Sequence, residues 1–98
     1  MTIEQVRNDL KELRYYYIHK TKFDNFFKMI GNHIICEKSK FYSNIILSAP
    51  LRIVDYYYES VVQGKTQETI AMESNYSVQN TCLICKQMTD YLMNNINQ

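Results

Sequence analysis

The sequence predicts an all-α protein, a small helical domain with a C-terminal helix-turn-helix and an N-terminal amphipathic helical arm. Apolar residues recur at steps of three and four along most of the chain, which is typical of helices that bury one face. The 98 residues include only two Gly and one Pro, so long irregular segments are not expected. With 46% hydrophobic residues, the chain suits one small domain whose core is marginal alone.

We expect the first helix to run from about Ile3 to Lys20 as the start of the arm. Its apolar stripe consists of Ile3, Val6, Leu10, Leu13 and Tyr17. Charged residues of both signs flank this stripe, which favours pairing with a second copy of the helix. We therefore predict a homodimer whose interface is formed by these five stripe residues.

The region after the first helix is harder to divide. Apolar spacing continues from Phe23 to Ile35 through Gly31, which indicates a second helix or a kinked continuation of the first. The charged and polar segment 37–43, EKSKFYS, is the predicted hinge. The expected division is a helical arm over residues 1–43, which could dimerise, and a helix-turn-helix domain over residues 44–98.

A third helix is predicted between Ser48 and Gly64. Ser48 is a suitable cap, Pro50 is tolerated in a first turn, and Gly64 ends the helix after about fifteen residues. The residues expected to face the core are Leu51, Val54, Tyr58 and Val61.

Two further helices, joined by a tight turn, complete the prediction. Thr66 caps a short helix over Gln67–Ser74, and Asn75 follows where the chain must reverse, because Asn tolerates a positive φ better than any residue except Gly. Ser77 caps the last helix by accepting from the backbone N–H of Gln79 or Asn80.

We expect the two helices around this turn to pack closely. Ile70 and Ala71 should make the contact from the first of them, and Thr81 and Ile84 should face back from the second. The last helix should run from Val78 to about Asn94. Its predicted inward residues are Ile84, Met88, Tyr91 and Leu92.

The segment 48–92, SAPLRIVDYYYESVVQGKTQETIAMESNYSVQNTCLICKQMTDYL, resembles the last domain of bacterial sigma factors and, more closely, phage late-gene activators of the RinA and ArpU type. In those proteins a helix ending near a Gly is followed by a Thr/Ser-Gln-x-x-Ile-Ala helix, a turn, and a Ser that opens the recognition helix. The matching residues in this chain are Gly64, Thr66, Gln67, Ile70, Ala71, Ser77 and Thr81. The resemblance implies a transcription regulator of phage or mobile-element origin that binds duplex DNA by a helix-turn-helix.

The residues expected to contact DNA are Lys65, Thr66, Gln67, Ser77, Gln79, Asn80 and Lys86. The amides of Gln79 and Asn80 suit bidentate bonds to adenine in the major groove. Lys65, Thr66, Gln67 and Ser77 suit contacts to phosphates, and two of them lie near a helix N-terminus. Lys86 is the only basic residue of the recognition helix. The alternative is that Thr66 and Ser77 act as caps alone and that the remaining side chains form a solvated surface.

The charge distribution favours a second hypothesis. Residues 1–49 carry eight Lys or Arg and five acids, whereas residues 50–98 carry three and five, so the proposed reading half is slightly acidic. If the chain binds DNA, the backbone contacts are expected from basic residues of the arm: Lys11, Arg14, Lys20, Lys22, Lys28, Lys38 and Lys40. In the resembling family, basic residues line the outer face of the recognition helix, where this chain has Cys82 and Leu83. The alternative function is therefore a protein-interaction module on a helix-turn-helix scaffold that inhibits or recruits RNA polymerase, a repressor or a defence protein of the host. A packaging protein such as a terminase small subunit is a third possibility.

The sequence gives little indication of catalysis, and we predict a non-enzyme with no cofactor and no metal site. It contains no glycine-rich phosphate loop and no recognisable catalytic triad motif. Cys82 and Cys85 form a C-x-x-C without a second ligand pair, so we expect free thiols in a helical core. The charged N-terminus and the absence of a long apolar run predict a cytoplasmic protein with no membrane partner.

Overall fold

The computed structural model describes residues 1–19 and 34–96, and this part of the chain is all-helical, as predicted. Its helices are α1 (Ile3–Ile18), α2 (Ile34–Ile46), α3 (Leu51–Tyr57), α4 (Gln67–Ser74) and α5 (Val78–Ile96). A π-helical turn, Tyr58–Val62, continues α3. The predicted end of the first helix at Lys20 and the predicted helical region from Phe23 to His33 lie outside the described residues.

A reciprocal cap fixes the start of α1. The backbone N–H of Gln5 donates to the Thr2 hydroxyl at 3.2 Å, and the Gln5 side chain accepts from the Thr2 N–H at 2.7 Å. Such a capping box satisfies two N–H groups that a helix terminus otherwise leaves without partners.

The apolar stripe of α1 faces the core of the single chain. Val6, Leu10 and Leu13 are buried there. Tyr17 is half-buried, and its hydroxyl is hydrogen-bonded to the hydroxyl of Ser39 on α2. Most of the stripe predicted for a dimer interface is therefore covered within the protomer. Ile3, at the start of the stripe, is exposed.

The predicted hinge at residues 37–43 is wrong, because these residues lie in the middle of α2. Their polar groups find partners on α1, as Lys38 Nζ lies 3.0 Å from the Asp9 carboxylate and 2.6 Å from that of Glu12. The hydrogen bonds that Lys38 donates to Glu12 and Asp9 raise its pKa. The buried Tyr42 also donates to Asp9, at 2.6 Å. The charged segment thus belongs to a helix-helix contact.

Helix α3 begins at a different cap from the predicted one, and its predicted buried face is confirmed only in part, at Val54 and Val61. Pro50 is the N-cap and makes no side-chain hydrogen bond, so the predicted capping role of Ser48 is wrong. The buried side chains of this region are Ile53, Tyr56, Tyr57 and Val61. Leu51, which was expected to face the core, is 73% exposed.

The helical region after α3 widens into the π-helical turn before Gly64 ends it. The N–H of Gln63 donates to the carbonyl of Tyr58, five residues earlier, at 2.9 Å. Gly64 has a φ of 71°, which favours Gly, and a Cβ at this position would lie 2.6 Å from Cγ1 of Ile18. The chain therefore leaves the turn close against the end of α1.

One hydrophobic core joins both ends of the chain. Its buried members are Val6, Leu10, Leu13, Tyr42, Ile46, Ile53, Tyr56, Tyr57, Val61, Ile70, Met88 and Leu92. Helix α1 packs against the π-helical turn and against α5, so the N-terminal helix lies beside the last helix.

Within the described ranges, none of the helices has both the length and the apolar character needed to cross a bilayer.

Candidate nucleic-acid interface

The turn between α4 and α5 has the predicted conformation. Asn75 takes the left-handed conformation with a φ of 59°, and the N–H of Tyr76 donates to the Ala71 carbonyl at 2.9 Å. This is a common way for a helix to end, because it satisfies a carbonyl of the last turn. Ile70 and Ala71 are buried as predicted.

Both predicted caps of this region are confirmed. The hydroxyl of Thr66 accepts from the N–H of Thr69 at 3.2 Å, and that of Ser77 accepts from the N–H of Asn80 at 3.0 Å. Thr81 is fully buried and donates to the Ser77 carbonyl at 3.1 Å. The first turn of α5 is therefore held in place on its inner side.

The outer side of α5 is open. Gln79 and Asn80 are exposed in its first turn, and Leu83, Lys86 and Asp90 are exposed further along the helix. Because the Ser77 hydroxyl accepts from the backbone N–H of Asn80, the side-chain amide of Asn80 remains available for other contacts. The two residues predicted for base contacts thus share an accessible helix start.

Gln67 is held within the protein, in a contact that the sequence did not predict. Its side chain donates to the Tyr56 hydroxyl at 3.4 Å and accepts from the Cys82 thiol at 3.1 Å. Burial is the main cause that raises the pKa of Tyr56. Gln67 therefore links α4 to α3 and α5 and does not point freely outward.

The cysteines are free thiols, and of the C-x-x-C pair only Cys85 packs against the core. Cys82 is exposed and Cys85 is only half-buried. Within the described part of the chain, no cluster of His, Cys, Asp and Glu has an arrangement that could hold a metal ion.

Lys65 is neutralised by two carboxylates. Its ammonium lies 2.6 Å from Glu73 and 3.6 Å from Glu59, and the hydrogen bond with Glu73 is the main cause that raises the pKa of Lys65. A phosphate would have to compete with both acids for this ammonium. Lys65 is consequently a poorer phosphate contact than its place in the sequence indicates.

A basic cleft lies between α1 and α5. It has a volume of about 550 Å³, and its lining includes Arg7, Lys11 and Arg14 from α1 together with Lys86 from α5. The guanidinium of Arg14 also donates to the Gly64 carbonyl at 2.7 Å, and this hydrogen bond holds the Arg14 side chain in place. We refer to this feature as the α1–α5 cleft.

The charges of α1 are divided between two sides of the helix. Asp9 and Glu12 face α2, where Lys38 binds both of them. The lining of the α1–α5 cleft contains no Asp or Glu among the described residues. The fold thus places basic groups of the N-terminal half beside the slightly acidic C-terminal half.

Comparison of the chain with protein families, curated proteins and solved structures finds no match. The functional argument therefore depends on the geometry described above.

Apolar side chains are also exposed around the turn. Met72 at the end of α4 is 77% exposed, Tyr76 in the turn is 52% exposed, and Leu83 on α5 is 51% exposed. Exposed aromatic and Met side chains are typical of protein-binding surfaces. This apolar surface borders the same helix start that carries Gln79 and Asn80.

Proposed function

We propose that the chain binds duplex DNA with the start of α5 in the major groove, and that it regulates transcription. The local arrangement supports this proposal, because a short helix, an αL turn and a capped second helix place polar side chains on an accessible helix start. Gln79 and Asn80 would read bases, since paired amide donors and acceptors match the edge of adenine. Ser77 would lie next to the phosphates at the helix N-terminus.

The observation that carries the proposal is the basic side of α1. DNA affinity draws heavily on phosphate neutralisation, and α5 with its turn supplies Lys86 alone for that purpose. Arg7 and Lys11 are exposed on α1 and line the same cleft as Lys86. These cations flank α5, so they could contact the backbone while the start of α5 reads bases.

The proposed phosphate contacts differ in part from those that the sequence predicted. Lys86 keeps its role, whereas Lys65 and Gln67 are engaged by other side chains of the protein. Lys11 keeps the role of a backbone contact that was expected of the arm, and Arg7 is added to it. Thr66 acts as a helix cap in this proposal.

The test is fluorescence anisotropy of a random duplex and of the chain's own upstream DNA, each titrated with wild type and variants. The double variant Gln79→Ala with Asn80→Ala should lose preference for the upstream sequence, by ~1–3 kcal/mol for each lost base contact. Asn44→Ala, an exposed amide on α2, is the matched control and should bind as wild type. Absence of binding to either duplex at low salt would refute the proposal.

The second candidate function is protein binding on the same scaffold, and the exposed Met72, Tyr76 and Leu83 favour it. In this alternative the apolar surface around the turn captures RNA polymerase or another host protein. Leu83→Asp should then abolish capture from a host lysate while the far-UV circular dichroism stays unchanged. If the same variant instead loses DNA binding alone, the apolar surface acts in the DNA complex.

A further inference from the structure

We propose that the α1–α5 cleft binds a small anionic amphiphile, an organic carboxylate with an apolar body. The site would take its ligand as a free molecule. This inference does not require the proposed DNA binding, because the ligand contacts belong to this chain alone and can be measured without DNA.

The size and floor of the α1–α5 cleft suit an apolar body. Its volume of about 550 Å³ falls in the range of small-molecule pockets, roughly 300–1,000 Å³. Leu10, Val61 and Met88 are buried core residues that also line the cleft, and Tyr56 lies with them. An apolar chain placed against these side chains would leave water, which is the main source of affinity for such ligands.

The rim of the cleft supplies the complementary charge. Arg7 and Lys11 lie one helical turn apart on α1, and Lys86 lies on α5 across from them. Hydrogen bonds between a carboxylate and Arg or Lys are charge-assisted and about twice as strong as neutral ones. Since no carboxylate of the described residues lines the cleft, these cations have no acidic partner there.

A hydroxyl group in the lining also lacks a partner. Ser60 lies in the π-helical turn, and its oxygen is buried without a hydrogen bond among the residues that the structure describes. Buried polar groups are nearly always satisfied, so this hydroxyl would gain a partner if its side chain turned toward a ligand in the cleft. Single π-helical turns also occur frequently at functional sites.

A carboxylate with an apolar body fits better than an ion alone or a nucleotide. A bare anion would leave water in the cleft above the apolar floor, and a nucleotide would place a polar sugar and several phosphate charges over that floor. One carboxylate head at the rim and an apolar tail on the floor satisfy both parts of the lining.

Titration calorimetry with decanoate, kept below its micellar concentration, tests the inference, and decanol serves as the uncharged analogue. Wild type should bind decanoate at least about tenfold more tightly than decanol, since one charge-assisted hydrogen bond is worth a factor of ten or more. The double variant Arg7→Gln with Lys11→Gln should remove this preference. Lys40→Gln, an exposed cation on α2, is the matched control and should keep it.

The location of the ligand is tested by filling the cleft. Cys82 is exposed and lines the cleft, so Cys82→Phe should weaken both decanoate and decanol. Because this change also removes the hydrogen bond from the thiol to Gln67, circular dichroism checks that the variant is folded. Amide NMR shifts on decanoate addition should fall on Ser60, Val61 and Cys85. No decanoate binding by wild type, equal affinity for decanol, or shifts confined to α2 would overturn the inference. Binding to phosphatidylglycerol vesicles without binding to free decanoate would also overturn it, because the surface would then be a membrane contact.

Discussion

The salt dependence of DNA binding is the sharpest quantitative consequence of the basic cleft. Arg7, Lys11 and Lys86 are exposed at its rim, whereas Arg14 donates to the Gly64 carbonyl. If the three exposed cations each neutralise one phosphate, the slope of log affinity against log salt is about −2.7, from −0.9 for each phosphate. Affinity should then fall ~40-fold between about 50 and 200 mM salt.

The assay is anisotropy of a labelled duplex over that salt range, with two variants beside the wild type. Arg7→Gln with Lys11→Gln should reduce the slope to about −0.9, while Lys40→Gln should leave it unchanged. Circular dichroism checks that each variant is folded. A double variant that keeps the wild-type slope would refute the assignment of phosphate contacts to α1, and an equal loss in Lys40→Gln would indicate a non-specific effect of net charge.

Three further predictions concern the fold. Leu13→Ala, at a fully buried position, should lower the free energy of unfolding by ~2–5 kcal/mol in urea denaturation, whereas Leu47→Ala, at a site 74% exposed, should change it by less than ~0.5 kcal/mol. Gly64→Ala should lower the free energy of unfolding by ~1–2 kcal/mol because of the positive φ at this position. Adding Ile18→Ala should relieve the side-chain contact but leave this backbone cost. Wild-type stability of Gly64→Ala alone would contradict this strain. Burial raises the pKa of Tyr57 to about 12, above the ~10 of an unfolded tyrosine, so the unfolded state loses its proton first. Stability should therefore fall as pH rises from ~10 to about 12, and by less in Tyr57→Phe; equal alkaline losses in wild type and variant would contradict this.

Local signals predicted the region around the turn well. The cap at Thr66, the positive φ of Asn75 and the cap at Ser77 depend on residues within a few positions of one another, so the sequence contains what they require. The bounds of α4 were predicted correctly for the same reason. The all-helical class followed from periodicity that persists over most of the chain.

The errors arose where distant residues decide the structure. The charged segment 37–43 looked like a hinge because its partners, Asp9 and Glu12, lie on another helix. The buried face of α3 was predicted only in part, because Leu51 continues an apolar stripe in the sequence, yet it lies exposed in the first turn. Periodicity identifies an apolar face but does not say which surface covers it.

In the candidate site, too, local features were predicted and features that depend on distant packing were missed. Gln79 and Asn80 were found from their position after a cap, and both are exposed. Arg7 was missed, since its contribution depends on how α1 packs beside α5. The spacing of Arg7, Lys11 and Arg14 along one side of a helix was a usable signal, but the sequence did not reveal that Lys86 lies across from them.

An NMR titration with duplex DNA tests most directly whether α1 and the start of α5 bind DNA together. On addition of the upstream duplex at low salt, the amides of Ser77, Gln79 and Asn80 should shift together with those of Arg7 and Lys11, because the proposed DNA-binding face includes both groups of residues. Shifts confined to the junction of α2 and α3, or no shifts in the presence of excess DNA, would contradict this proposal.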